Sequence, residues 1–146
     1  MIALGSDHAG FELKQAIISH LEERNIEYKD YGPYSADSVD YAVYAEKTAK
    51  GVVGGECELG ILCCGTGIGM SIAANKVKGI RAAAVSEVYS AKLTRVHNDT
   101  NVLCFGARVI GIETAKMIVD AYLEAEFEGG RHATRVGMIM DIEARG

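Results

Sequence analysis

Cys64 stands at the end of the apolar run Leu59-Gly60-Ile61-Leu62-Cys63, directly before Gly65-Thr66-Gly67-Ile68-Gly69. A strand followed by a helix from about Met70 would deliver that thiol to the mouth of a glycine-rich turn. Glycines let a backbone approach a ligand closely and take dihedrals denied to larger residues. The start of a helix offers free N–H groups and the positive end of a dipole, which suit an anion. The same field favours the thiolate of a neighbouring cysteine. Thr66 can donate its hydroxyl to a developing oxyanion, with loop N–H groups supplying the remainder. The competing reading has Thr66 cap the next helix and Cys64 buried in the core. The loop is not a Walker A motif, since no Lys-Ser/Thr follows, and Met70 occupies the third glycine position of a G-x-G-x-x-G.

Other candidates lie far apart in sequence. Asp7-His8 follows the first apolar run, where Asp7 can cap a helix beginning near Gly10 and His8 can contact an anion or a hydroxyl. His97-Asn98-Asp99 closes a helical pattern that begins near Val88. The dipole favours a histidine there, but histidine is also the side chain suited to moving protons between sugar oxygens near neutral pH. Arg95, two residues earlier, reads as solvated. Arg131 and Arg135 are four apart on one helical face with His132 nearby, and Arg108 follows the last strand. Two co-facing arginines can clamp a phosphate, or can pair with the preceding Glu124, Glu126 and Glu128. Of the seven tyrosines, Tyr41 is the one expected near a ligand.

Positioning these groups requires an alternation of strands and helices. Strands are expected near Ile2–Gly5, Glu27–Tyr31, Leu59–Cys64, Arg81–Val85 and Val102–Gly106. Helical spacing joins Leu13, Ile17 and Leu21, then Tyr41, Ala45 and Thr48, then Met70–Asn75, Val88–Val96, Ile112–Ala125 and His132–Ala144. Such alternation predicts a parallel sheet with right-handed crossovers. Ligands in open parallel sheets sit beyond the carboxyl ends of the strands. Ser6–Gly10, Cys64–Gly69 and Gly106–Arg108 all fall at such ends. The last helix has no strand to follow and is free to pack on a partner.

The 146 residues suit one domain, long enough to bury roughly 70% of the surface of the unfolded chain. A net charge of −5 argues against a general nucleic-acid binder, which needs a broad basic surface. No apolar stretch approaches the ~20 residues of a membrane span, so the cytoplasm is the expected compartment. Cys57, Cys63, Cys64 and Cys104 form no C-x-x-C pair, which leaves a zinc site little support and suits a reducing compartment. Adjacent Cys63 and Cys64 point to opposite sides of a strand, and one is expected to pack in the core.

Taken together, Gly5-Ser6-Asp7-His8-Ala9-Gly10, Asp40-Tyr41, Cys64-Gly65-Thr66-Gly67-Ile68-Gly69, His97-Asn98-Asp99-Thr100-Asn101 and Gly129-Gly130-Arg131-His132-x-x-Arg135 strongly resemble the type B ribose-5-phosphate isomerases. The resemblance covers nearly the whole chain. It implies a three-layer α/β/α sandwich, Rossmann-like, with a five-stranded parallel sheet. It further implies a homodimer or dimer of dimers with active sites between subunits, a sugar phosphate substrate, and neither cofactor nor metal. Cys64 then corresponds to the carbon base. Thr66 and the N–H groups of Gly65 through Gly69, Gly67 included, would hold the enediolate. His97, from the neighbouring subunit, would open the furanose ring, with Asp7 assisting proton traffic. Asn98 would bind the sugar, and His8, Arg108, Arg131 and Arg135 match phosphate-binding positions. One branch of the family uses a glutamate base where this chain has Met70. Relatives acting on allose 6-phosphate or galactose 6-phosphate share the chemistry. A non-catalytic, flavodoxin-like phosphate- or nucleotide-binding module would need neither Cys64 nor His97.

Overall fold

The computed structural model describes residues 1–146. Five strands, β1 (Ile2–Ser6), β2 (Tyr28–Asp30), β3 (Leu59–Cys64), β4 (Ala82–Ala84) and β5 (Val102–Gly106), pair in parallel in the order β2-β1-β3-β5-β4. Six helices join and follow them: α1 (Phe11–Glu23), α2 (Tyr41–Val53), α3 (Ile68–Ala74), α4 (Val88–Asn98), α5 (Ile112–Glu124) and α6 (Arg131–Arg145). The central strands are apolar on both sides because both are covered. Ile61 and Cys63 face one core with Leu4, Ile17 and Phe105, whereas Leu62 and Cys64 face the other with Ala45 and Met70. Both cysteines are therefore buried, on opposite faces, although only one was expected in the core.

The strands β2 and β4 are shorter than their sequence patterns suggest. Each is an edge strand with a partner on one side only, so its ladder ends sooner. The helix α3 starts at Ile68, two residues before the expected Met70, because Gly67 turns the chain at φ +82°. From β1 the chain moves to the β2 edge, and from β3 it moves toward β4. The loops after β1 and β3 thus diverge and leave a crevice between two neighbouring strands. No helix is long and apolar enough to cross a membrane.

Candidate active site

Three loop segments are stitched together at that crevice. Asp7 N–H donates to the Cys63 carbonyl at 3.2 Å, Ala107 N–H to the Cys64 carbonyl at 2.8 Å, and Arg108 N–H to the Gly65 carbonyl at 3.1 Å. Close approach requires glycine at two points. A Cβ on Gly10 would overlap the Cys63 carbonyl, and one on Gly67 would lie 2.8 Å from the Phe105 backbone. The exposed Arg108 side chain lies against Gly65, and the Tyr41 ring lies against Gly69.

Cys64 is 5% exposed, and its Sγ accepts the Gly67 N–H at 3.1 Å. Such a contact strengthens when the acceptor carries negative charge. The Thr66 Oγ1 accepts the Ile68 N–H at 3.2 Å, which leaves its hydroxyl hydrogen free to donate outward. The N-cap of α3 is Gly67, so Thr66 braces the turn ahead of the helix and does not cap it. The N–H groups of Gly65, Thr66 and Gly69 meet no backbone or side-chain acceptor, whereas those of Gly67 and Ile68 are already engaged. The turn therefore combines a largely buried sulfur with three N–H groups that have no partner in the chain.

The remaining thiols are buried too, Cys63 and Cys104 the most deeply. Burial pushes Cys63 and Cys104 well above the ordinary thiol range, with neighbouring sulfurs adding to the effect. Both are held as neutral thiols in the core. Cys57 is also buried, with its Sγ 3.9 Å from the Tyr31 hydroxyl.

Asp7, 8% exposed, accepts the Gly10 N–H at 2.9 Å; Gly10 is itself the N-cap of α1, so Asp7 braces the turn before the helix and does not cap it as the sequence suggests. Its second carboxylate oxygen makes no hydrogen bond within the protein. His8 is exposed, and its Nδ1 accepts the Val39 N–H at 3.2 Å.

A second group of predicted residues gathers around the start of α6. His97 stacks on His132 with ring centroids 4.2 Å apart and planes 11° from parallel. His132 is buried, and its Nε2 lies 3.8 Å from Glu128, too far for a hydrogen bond. Burial and the neighbouring His97 lower the His132 pKa. Arg131 and Arg135 act in the same direction, and Glu128 opposes them. Arg131 and Arg135 are exposed and form no ion pair, so the salt-bridged surface considered from sequence does not form. Asn98 lines a groove of about 560 Å³ with Arg81, Asn75, Ile139, Ile142 and Glu143. No hydrogen bond or ion pair joins this second group to the glycine loop.

His97, Glu128 and His132 bring one ligand atom each within 4.8 Å of one another. Nearly parallel rings direct their lone pairs in parallel planes, however, so a metal ion would require one ring to turn.

The reading of Arg95 as solvated is overturned. Its side chain is 15% exposed, donating to the Asp99 carboxylate at 3.0 Å and to the Thr100 carbonyl at 2.6 Å. Asp99 sits at φ +46° after α4, and Arg95 with Arg81 ties down that turn. Sequence reasoning also missed the His97–His132 stack. The two residues are far apart in the chain, and no local pattern signals their meeting.

A family model described as Ribose/Galactose Isomerase matches residues 2–139. The chain is 59% identical to ribose-5-phosphate isomerase B of Escherichia coli K12 over 144 residues, covering 99% of this chain and 97% of that protein. Among solved structures it is similar to ribose-5-phosphate isomerase B of Clostridium thermocellum, with a TM-score of 0.97, 52% identity, and 99% and 97% of the two chains covered. The enzyme of the same name from Mycoplasma genitalium, with ribulose 5-phosphate bound, superposes with a TM-score of 0.94 at 41% identity, covering 99% and 97% of the chains.

Proposed function

Because the chain belongs to the ribose/galactose isomerase family, we propose that it interconverts ribose 5-phosphate and ribulose 5-phosphate through an enediolate. The observation that carries this reading is the Cys64 sulfur beside the unpaired N–H groups of Gly65, Thr66 and Gly69. An aldose–ketose isomerase needs a carbon base next to donors aimed at the oxygen where charge develops.

Ring opening comes first. His97 transfers a proton from the anomeric hydroxyl to the ring oxygen, and Asp7 with its free carboxylate oxygen assists that traffic. In the open aldehyde, the Cys64 thiolate takes the proton from C2. The electrons form a C1–C2 double bond and charge collects on O1, where the loop N–H groups and the Thr66 hydroxyl receive it. Return of the proton to C1, with transfer of the O2 proton to O1, gives the ketose. Cys63 and Cys104 are poor rivals for the base because both are held neutral. Tyr41 and Asn98 line the sugar, while His8, Arg108, Arg131 and Arg135 bind the phosphate.

The chain acts as a homodimer, His97 of one copy reaching the glycine loop of another. Two features support this. The two groups of site residues are unconnected within one chain, and α6 exposes Met138, Ile139 and Ile142 at 60%, 46% and 62%. The unit is one domain over residues 1–146, with α6 as the element that meets the partner. Four free thiols suit the cytoplasm.

The test is turnover of ribose 5-phosphate in deuterium oxide. Ribulose 5-phosphate carrying deuterium at C1 is the expected product. Failure to form the ketose would leave a phosphate-binding module. A higher kcat/KM on allose 6-phosphate would move the substrate to six carbons.

A further inference from the structure

Lys14 is fully buried within the first half of α1, yet its ammonium makes no contact with the glycine loop. Its Nζ donates to Asp30 Oδ1 at 2.8 Å and to the Pro33 carbonyl at 2.6 Å, beneath the rings of Phe11 and Tyr34. An ammonium removed from water is tolerated only when its donors are satisfied. Here two of its three donors are taken up, both by the segment that ends β2 and leaves it. Asp30 Oδ1 also accepts the Gly32 N–H at 2.8 Å, and the Tyr34 hydroxyl donates to the Asp30 carbonyl at 2.9 Å. Residues 30–34 are thereby fixed against α1.

The chain then crosses the N-terminal end of α1 without regular structure. At Val39 it delivers an N–H to His8 Nδ1, and at Tyr41 it enters α2 with a ring against Gly69. A backbone N–H can only donate, so Nδ1 must present its lone pair. In the neutral ring the proton therefore sits on Nε2. Rotating the ring by half a turn would replace Nδ1 with carbon and lose the bond. The exposed His8 is thus held in one orientation with one outward donor.

We propose that Lys14 is a positioning residue: by clamping residues 30–34 it holds the Val39 N–H on His8, and so aims His8 Nε2–H at the phosphate of the substrate. The proposal rests on the reading of His8 as a phosphate ligand. It adds Lys14 and Val39 as residues that orient His8 and that have no place of their own in the proposed phosphate site. Ordering a side chain before binding spares the entropy of ordering it afterwards, which tightens binding without altering the chemical step.

The experiment combines a spectroscopic readout with kinetics. In the unaltered protein, nitrogen–nitrogen coupling across the hydrogen bond should connect the Val39 amide to His8 Nδ1. Val39→Pro removes the donor and should abolish that coupling. It should raise KM for ribose 5-phosphate and Ki for inorganic phosphate together, by about threefold to tenfold, with kcat within about twofold. Lys14→Met should do the same from a distance. If that variant does not fold, Tyr34→Ala, at a position 76% exposed, loosens the same turn and should give the same split at smaller size. Absence of the coupling in the unaltered protein, or an unchanged KM and Ki in Val39→Pro, would overturn the role of His8. Unchanged values in the Lys14 or Tyr34 variant would overturn the clamp. Failure to turn over ribose 5-phosphate would instead strike the isomerase reading, while the coupling and phosphate titration would still report on the clamp.

Discussion

The glycine loop and the C-terminal helix are built in opposite ways. Residues 63–69 are pinned by neighbouring loops on both sides, with Gly67 buried and Cys64 in contact with its N–H. The helix α6 buries only His132 and Val136 of its fifteen residues, and its two leading arginines have no partner. One region is finished by its own chain; the other presents cations and apolar side chains that nothing in the chain covers. The difference fits the proposed reading, in which the loop holds the base for the carbon-bound proton and α6 supplies two of the four phosphate ligands. Preorganisation matters most where charge develops on a reacting atom, whereas a phosphate can be gripped by long side chains that settle on contact.

Substitutions at the sheet should break this comparison most severely. Cys64→Ala should lower kcat by about a thousandfold or more, since it removes the proposed carbon base. Cys63→Ala, one residue away on the other face, should cost roughly 1–2 kcal/mol of stability but leave kcat within a few-fold. Equal losses in both would mean that the fold, and not the base, is being measured. A mixing experiment sharpens the point. Cys64→Ala and His97→Ala should each be nearly inactive alone. Exchanged subunits should recover about a quarter of full activity, because half the dimers carry one intact site. No recovery would place both groups in one chain.

The anion side should respond more mildly and in a different parameter. Arg135→Ala should raise KM for ribose 5-phosphate roughly tenfold to a hundredfold, as expected for lost charge-assisted hydrogen bonds, with kcat changed only a few-fold. A fall in kcat at constant KM would transfer Arg135 from binding to chemistry.

How much of this was legible in the sequence follows the same divide. The five strands and the glycine turn could be read because periodicity, glycine spacing and strand ends are local signals, and Leu59–Cys64 and Val102–Gly106 match in full. Edge strands were overestimated because apolar pattern does not reveal how many neighbours a strand has. The roles of Arg95, His132 and Lys14 were hidden, since each depends on where distant segments meet. Lys14 occupies the helical stripe beside Leu13 and Ile17 but reads as an ordinary charged residue. Only the turn after β2, folded back upon it, makes it a core residue.

The smallest effect concerns pH and again separates the two regions. His132 is buried against His97, with Arg131 and Arg135 nearby and only Glu128 acting to stabilise its charged form, so its folded pKa lies below the ordinary value. Unfolded histidine titrates near 6.5. As pH falls through that value, the unfolded chain takes up a proton that folded His132 resists, so protonation favours unfolding. The associated stability is fully present above about pH 6.5 and declines as the solution is acidified below it. His132→Asn removes the titration but not the fold, and its melting temperature should fall less steeply between about pH 7 and pH 5.5. Carboxylates elsewhere contribute equally to both proteins, so the difference between the two slopes isolates His132. Parallel slopes would show that α6 gives way on protonation, leaving His132 solvated and the start of that helix looser than its packing against His97 implies.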